Sequence, residues 1–371
     1  MNERAAEIGM VFDEIDTPCL IVDLDAMERN IATMARFAAA RGVRLRAHAK
    51  THKSPEIARL QIAAGATGLC CQKVGEAEAL VRGGVSDVLV SNQVVSPKKL
   101  RRLAALAREA RILVCVDDAG NVAEIGGAAR EAGSTIECLV EIDVGAGRCG
   151  VAPGTPAVAL AKVVAQTGGL RFAGLQAYHG GAQHLRTFEE RRAAIEAATA
   201  MVRETLEALT AEGLTCDIVG GAGTGTFEFE SASGVYNELQ CGSYVFMDAD
   251  YGRILKADGQ PLDAFENSLF ILTGIMSKTR PGRAVCDAGL KASSVDSGLP
   301  TIFGEPDLDY LNASDEHGVI ADPNDRLKLG DRLKLVPGHC DPTVNMHDWL
   351  VGVRGNRVEA LWPVAARGRL L

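Results

Sequence analysis

Short apolar runs alternate with longer amphipathic ones from residue 43 to about residue 248, and no other property of the chain constrains its fold as tightly. Eight runs read as strands: residues 43–49, 68–72, 87–92, 112–117, 137–143, 172–178, 216–220 and 238–246. Stretches with helical spacing separate most of them, at 54–64, 74–81, 97–107, 119–132, 156–167 and 187–209. In the last of these Ile195, Ala198, Val202, Leu206 and Leu209 recur on one face. Eight strand-then-helix units predict an α/β fold of the TIM-like (β/α)8 barrel type, with a doubly wound sheet as the rival.

After residue 255 the texture changes. Helical periodicity fades, Gly, Pro and Asp become frequent, and β-like runs occur at 269–276, 284–286, 332–336, 350–353 and 357–362. A barrel over residues 24–255 followed by a smaller, mainly β domain over 256–371 is therefore expected. A strand within residues 10–23 is expected to join the β domain.

The totals exclude several classes. A formal net charge of −9 argues against nucleic-acid and anionic-membrane partners, which both need basic patches. No uncharged run approaches the ~18 residues of a membrane-spanning helix. The segment MNERAAEIGM is charged and has no apolar centre, so no secretory leader is expected. Ten cysteines without a C-x-x-C pair read as small buried hydrophobes in a reducing cytoplasm.

Barrel sites lie at the C-terminal ends of the strands. The first strand runs through RGVRLRAHAKTHK, residues 41–53, which places Lys50 at its exit between His48 and His52. A lysine there, inside a pocket, could hold an aldehyde cofactor as a Schiff base. Desolvation and neighbouring cations would lower its pKa. A solvated basic loop is the alternative reading. Gln72, Asn92, Asp143, Arg148, Tyr178 and His179 follow at or just beyond other strand ends. Near the last two strands lie GGAGTGTF (220–227) and CGSY (241–244). Gly220, Gly221, Gly223 and Gly225 let the backbone approach an anion, and barrels often bind phosphate there. A tight turn needing positive φ would account for the same glycines. A Schiff-base lysine plus a phosphate cradle is the minimal kit for pyridoxal phosphate.

A second constellation, PGHCDPTVNMHDW at 337–349, falls in the β domain. In an extended segment His339 and Asp341 point the same way and could grip a divalent cation, with Cys340 on the other face. The pattern is also common in purely structural roles. His347 and Asp348 are further ligands, outer partners or surface.

The motifs DTPCLIVDLDAMERNI, RAHAKTHKSPEIA, DVGAGRCGV, GLQAYHG, GGAGTGTF, ELQCGSYVFMD and PGHCDPTVN span nearly the whole chain in order. Together they resemble the D-threonine aldolase and D-serine dehydratase family of fold-type III pyridoxal phosphate enzymes, related to alanine racemase. The resemblance implies a pyridoxal phosphate barrel, a β domain, a divalent metal and a homodimer. It makes Lys50, rather than Lys53, the cofactor lysine. Arg148 matches the arginine that faces the phenolate oxygen of the cofactor, and Tyr178 lies close to its ring. Gly223, Thr224, Gly242, Ser243 and Tyr244 surround the phosphate, and His339 and Asp341 form the metal pair. Ala47 stands where the family motif often has proline. The oxygen ligand Asp341, in place of the cysteine of the dehydratase branch, favours Mn²⁺ or Mg²⁺ over Zn²⁺. The implied reaction cleaves D-threonine and related D-3-hydroxy amino acids to glycine and an aldehyde. From its place just beyond the sixth strand His184 is the candidate base, directly or through water, with a surface histidine as the alternative reading. Dehydration of D-serine or 3-hydroxyaspartate, and cofactor binding without turnover, are the alternatives.

Overall fold

The computed structural model describes residues 4–371; the first three residues of the charged N-terminal segment lie outside it. The chain opens with β1 (Cys19–Asp23) and α1 (Leu24–Arg41). Asp23 caps α1 by accepting from the Ala26 amide, and Gly42 ends it at φ 64°. The barrel follows as β2 (Arg44–His48), α2 (Pro55–Ala63), β3 (Gly68–Cys71), α3 (Val74–Arg82), β4 (Asp87–Val90), α4 (Pro97–Leu106), β5 (Arg111–Val116), α5 (Ala119–Ala132), β6 (Ile136–Glu141), α6 (Thr155–Gln166), β7 (Leu170–Gln176), α7 (Phe188–Ala211), β8 (Ile218–Gly221), α8 (Phe227–Ala232) and β9 (Glu238–Leu239). All eight strands pair in parallel, and β2 pairs with β9, so the sheet closes and the doubly wound alternative is excluded.

The closure follows from strands that are apolar on both faces. Cys70, Leu89, Leu113, Cys115, Leu139, Ala173 and Ile218 pack together as one core, while their neighbours Val88, Val90, Ile112, Val114 and Val140 belong to the larger core shared with the helices. The cysteines are all free; Cys149 and Cys216 are half-buried and the others buried, which matches their reading as small hydrophobes. At the strands' N-terminal ends a ring of ion pairs links Arg46 to Asp87 and Glu238, Arg111 to Asp87 and Glu137, and Arg171 to Glu137 and Asp217.

The last barrel strand is much shorter than the run at 238–246. After Leu239 the chain leaves the ladder and forms a 3-10 turn at Ser243–Val245. The second domain contains β10 (Leu269–Arg280), β11 (Arg283–Cys286), β12 (Thr301–Ile302), β13 (Asp309–Ala313), β14 (Gly318–Ala321), β15 (Arg332–Val336), α9 (Cys340–Val344), β16 (Trp349–Arg354) and β17 (Arg357–Pro363). Their sheet includes β1, which lies antiparallel to β10 and parallel to β16. No helix among the described residues is long and apolar enough to cross a membrane.

Candidate active site

A cleft opens at the C-terminal ends of the strands. It is lined by Lys50, Arg148, Tyr178, Gly223, Thr224, Gly242 and Ser243, and by His48, Gln72, Gln176, Gln240 and Tyr251 among others. Lys50 stands two residues beyond β2. Its ammonium lies 3.4 Å from Asp341 Oδ2, so the barrel lysine meets a carboxylate of the second domain. Burial pulls the Lys50 pKa down, but Asp341 and Tyr178 outweigh it and the net shift is upward. This corrects the lowered pKa expected from neighbouring cations. Burial likewise opposes ionisation of Asp341, yet Lys50 and His339 hold its carboxyl at about 2. Lys53 does not enter the cleft; it pairs with Glu76 at 2.8 Å and donates to Asn345 at 2.9 Å.

His48 forms part of the wall. Its Nδ1 accepts from the Lys50 amide at 3.3 Å, and its Nε2 faces Gln72 at 3.0 Å and Ser91 at 3.2 Å. Burial, then the Lys50 charge, depress its pKa well below the usual value, so it is neutral. Gln176 and Gln240 exchange hydrogen bonds at 2.7 and 2.8 Å. A Cβ on Gly220 would fall 2.4 Å from Gln240 Nε2, which explains that glycine.

The DVGAGRCG motif is a tight loop. Asp143 Oδ1 accepts from the amides of Gly145 and Gly147, both at 3.0 Å, and Gly145, Gly147 and Gly150 all have positive φ. The loop presents Arg148, whose guanidinium lies 5.8 Å from the Tyr178 ring centroid and 3.9 Å from Glu141. Burial raises the Tyr178 phenol pKa against the opposing charges of Lys50 and Arg148.

The two glycine-rich segments are stitched together where the Tyr244 amide donates to Thr224 Oγ1 at 3.0 Å. Among the described residues the backbone amides of Gly223, Thr224, Gly242 and Ser243 have no protein acceptor. A Cβ on Gly242 would lie 2.7 Å from Thr51 Oγ1, so the turn closes only without a side chain. Unpaired amides at such a cradle fit a phosphate group. Tyr244 stands behind the cradle rather than in it. Its ring is fully buried and its hydroxyl accepts from Gln61 at 2.9 Å.

The H-x-D segment is not extended. His339 is the N-cap residue of the short α9, and Asp341 lies in that helix's first turn. Asp248, not singled out from the sequence, anchors the turn by accepting from the Tyr251 amide at 3.0 Å and the Cys340 amide at 3.1 Å. His339 Nδ1 bonds Asp296 Oδ2 at 2.8 Å, which fixes the ring and leaves Nε2 for an ion. Cys340 is fully buried. Among the described residues no group of three or more His, Cys, Asp and Glu side chains is arranged to hold a metal. The donor set is thus one imidazole and one carboxylate, which fits an ion that keeps several waters, such as Mg²⁺ or Mn²⁺. His347 is turned away, with Nε2 2.8 Å from the Ala292 carbonyl.

His184 is not among the cleft-lining residues. It is 54% exposed, and its Nδ1 lies 2.7 Å from Asp250 Oδ2, a carboxylate shared with Arg186 and Arg253. Sequence reasoning also missed Gln176, Gln240, Ser91 and Tyr251 as cleft residues, since each lies within or after a strand whose apolar run masks it.

Two family models cover the chain. One described as "Alanine racemase, N-terminal domain" matches residues 22–250, and one described as "Putative serine dehydratase domain" matches residues 268–353. A 3-hydroxy-D-aspartate aldolase of Paracoccus denitrificans (strain Pd 1222) is 55% identical over 365 residues, which is 97% of this chain and 94% of that protein. A D-threonine aldolase of Arthrobacter sp. is 50% identical over 365 residues, 98% and 96% of the two chains. The crystal structure of D-threonine aldolase from Filomicrobium marinum matches with a TM-score of 0.97 at 50% identity, covering 100% of both chains. With both domains matched and relatives 50–55% identical along nearly the full length, the chain belongs to the D-threonine aldolase and D-serine dehydratase family of alanine racemase-like proteins.

Proposed function

We propose that the protein is a pyridoxal phosphate- and divalent metal-dependent aldolase, a carbon–carbon lyase that cleaves D-threonine and related D-3-hydroxy amino acids to glycine and an aldehyde. The observation that carries this reading is the 3.4 Å approach of Lys50 to Asp341. It brings the cofactor lysine of one domain to the metal carboxylate of the other, so a substrate can have its amine at the first and its β-hydroxyl at the second. The comparisons with named aldolases support the same reaction class.

In this reading Lys50 would anchor the cofactor, Arg148 and Tyr178 would help hold it, and the amides of Gly223, Thr224, Gly242 and Ser243 would take its phosphate. When bound, the cofactor supplies an electron sink for the Cα–Cβ bond. His339 and Asp341 would hold a divalent ion, which would supply Lewis acidity for the loss of the β-hydroxyl proton. The hydroxyl must lose a proton, and Cα must gain one once the bond to Cβ has broken. Asp250 favours the His184 tautomer protonated at Nδ1, leaving Nε2 free to accept. His184 lies outside the cleft lining, so we assign it the hydroxyl proton through a bridging water. Neutral His48 and the high pKa of Tyr178 keep additional charge away from Lys50. The homodimer and the cytoplasmic setting expected from the sequence belong to the same proposal.

Incubation of the holoenzyme with D-threonine tests it. Glycine and acetaldehyde in equal amounts are the expected products. Formation of 2-oxobutyrate and ammonia would instead make the protein a dehydratase, and no turnover of any 3-hydroxy amino acid would make it a binding protein.

A further inference from the structure

Behind the loop at 223–225 runs a line of hydrogen bonds that touches neither Lys50 nor the His339–Asp341 pair. The Gly225 amide donates to Gln183 Oε1 at 3.0 Å, Gln183 Nε2 donates to Thr226 Oγ1 at 2.8 Å, and the Thr226 hydroxyl donates to Glu230 Oε1 at 2.7 Å. The first bond fixes the direction of the second. The Gly225 amide can only donate, so the carboxamide oxygen of Gln183 must face it and the nitrogen must face Thr226. Thr226, having accepted, gives its single proton to the carboxyl. Gln183, Thr226 and Glu230 are each at most 1% exposed, so water does not compete for these bonds. Gln183 also fills the space beside the loop, since a Cβ on Gly223 would sit 2.3 Å from its Oε1. It stands in the 3-10 turn Gly181–His184 beyond β7, whereas the loop it grips follows β8. One side chain therefore ties two neighbouring rim loops.

Building on the pyridoxal phosphate assignment, we propose that Gln183, locked in one orientation by Thr226 and Glu230, is a positioning residue that shapes the 223–225 loop for the cofactor phosphate, and that these three side chains set cofactor affinity. Glu230 adds a pH dependence. Its Oε2 has no hydrogen-bond partner among the described residues, and burial pushes its carboxyl up to about 7. The titratable groups facing it, Tyr236 and Cys241, are themselves raised by burial and remain neutral. Ionisation places a charge behind an anion site, which repels the phosphate. Affinity therefore weakens as pH rises through about 7, and the linkage is reciprocal.

The test measures pyridoxal phosphate itself. The holoenzyme is stripped, rebinding is followed by equilibrium dialysis from pH 6 to 9, and release from intact holoenzyme is followed by visible absorbance. Thr226→Val and Gln183→Met should each weaken binding roughly three- to tenfold. Glu230→Gln, which keeps shape and the acceptor for Thr226, should match the wild type at pH 6 and bind more tightly than it at pH 9. Wild-type affinity in Thr226→Val and Gln183→Met overturns the positioning role. A Glu230→Gln to wild-type ratio that is constant with pH overturns the role of the carboxyl, and this comparison decides the matter if the other variants fail to fold. A wild type that binds no pyridoxal phosphate overturns the parent assignment instead.

Discussion

Replacing Glu238 by methionine should destabilise the protein by about 3–5 kcal/mol, whereas replacing Arg46 and Glu238 together by methionine should cost less than about 2 kcal/mol. Both side chains are 0% exposed, so neither charge is hydrated. Arg46 donates from Nε to Glu238 at 2.8 Å and from Nη1 to Asp87 at 2.5 Å. Its Nη2 has no hydrogen-bond partner among the described residues. Removing Glu238 leaves a buried guanidinium facing Asp87, a carboxylate it shares with Arg111 at 2.9 Å. Removing both charges leaves Asp87 with Arg111 and leaves Arg44, 3.7 Å from Glu238 and 40% exposed, to solvent, while methionine fills much of the volume. Urea unfolding of the wild type, both single variants and the double variant would give the coupling, expected to be at least about 2 kcal/mol. The ring lies at the strands' N-terminal ends, opposite the cleft. Turnover of D-threonine by the folded variants should therefore stay within about twofold of the wild type. A double variant as unstable as Glu238→Met would refute the reasoning, because the loss would then be one of packing rather than of an orphaned charge.

Four further outcomes are expected. Lys50→Ala should abolish both turnover and the visible absorbance of the lysine-bound cofactor; absorbance that persists would exclude Lys50 as the anchor. Dialysis against a chelator should abolish cleavage of D-threonine, and Mn²⁺ or Mg²⁺ should restore it, while cofactor absorbance stays in place because Lys50 does not depend on the ion. Gly242→Ala pushes a Cβ to 2.7 Å from Thr51 Oγ1 and 3.0 Å from the His48 carbonyl. It should cost about 1–3 kcal/mol in thermal unfolding and loosen pyridoxal phosphate, and an unchanged melting temperature would contradict the contact. For Glu230, a carboxyl raised from 4.5 to about 7 in the fold makes about 3 kcal/mol of stability pH-dependent. The folded state favours the neutral form, so this contribution is complete below about pH 4.5 and is lost as pH rises through about 7. Unfolding from pH 5 to 8.5 should show that decline in the wild type and its absence in Glu230→Gln.

Legibility from the sequence followed distance along the chain. The barrel was legible because each strand is locally apolar and each helix locally periodic. The strands β12, β13 and β14 were not, because they are short and partly exposed, so no run of apolar residues marks them. The cleft residues just past strand ends, Lys50 and Tyr178, could be found because a strand end is itself a local signal, and Arg148 because it stands in the glycine-rich DVGAGRCG loop. The His339–Asp341 segment reads as extended in the sequence, although Pro342 in the first turn of α9 and Asp341 beside it are marks of a helix start. The direction of the Lys50 pKa shift was beyond reach, since its nearest charge arrives from the other domain. For the same reason nothing in the local pattern pointed to Asp296 behind His339, or to Asp248 beneath Cys340.

What makes the two halves of the cleft meet is the N-terminal strand. β1 runs through α1 into β2, and so fixes where Lys50 emerges. It also lies parallel to β16 in the register Leu20 opposite Leu350, and β16 is the strand that follows α9 and therefore Asp341. Gly352 of β16 has no room for a side chain, because a Cβ there would lie 2.9 Å from Leu24 of α1. The strand that delivers the carboxylate is thus packed directly on the helix that delivers the lysine. Asp248 closes the arrangement from the other end of the barrel by holding the first amide of α9. Two ties, one from each end of the barrel chain, place Asp341 over Lys50. Neither tie uses Lys50 or the Asp341 carboxylate itself, so their relative position is set by the scaffold rather than by the attraction between them.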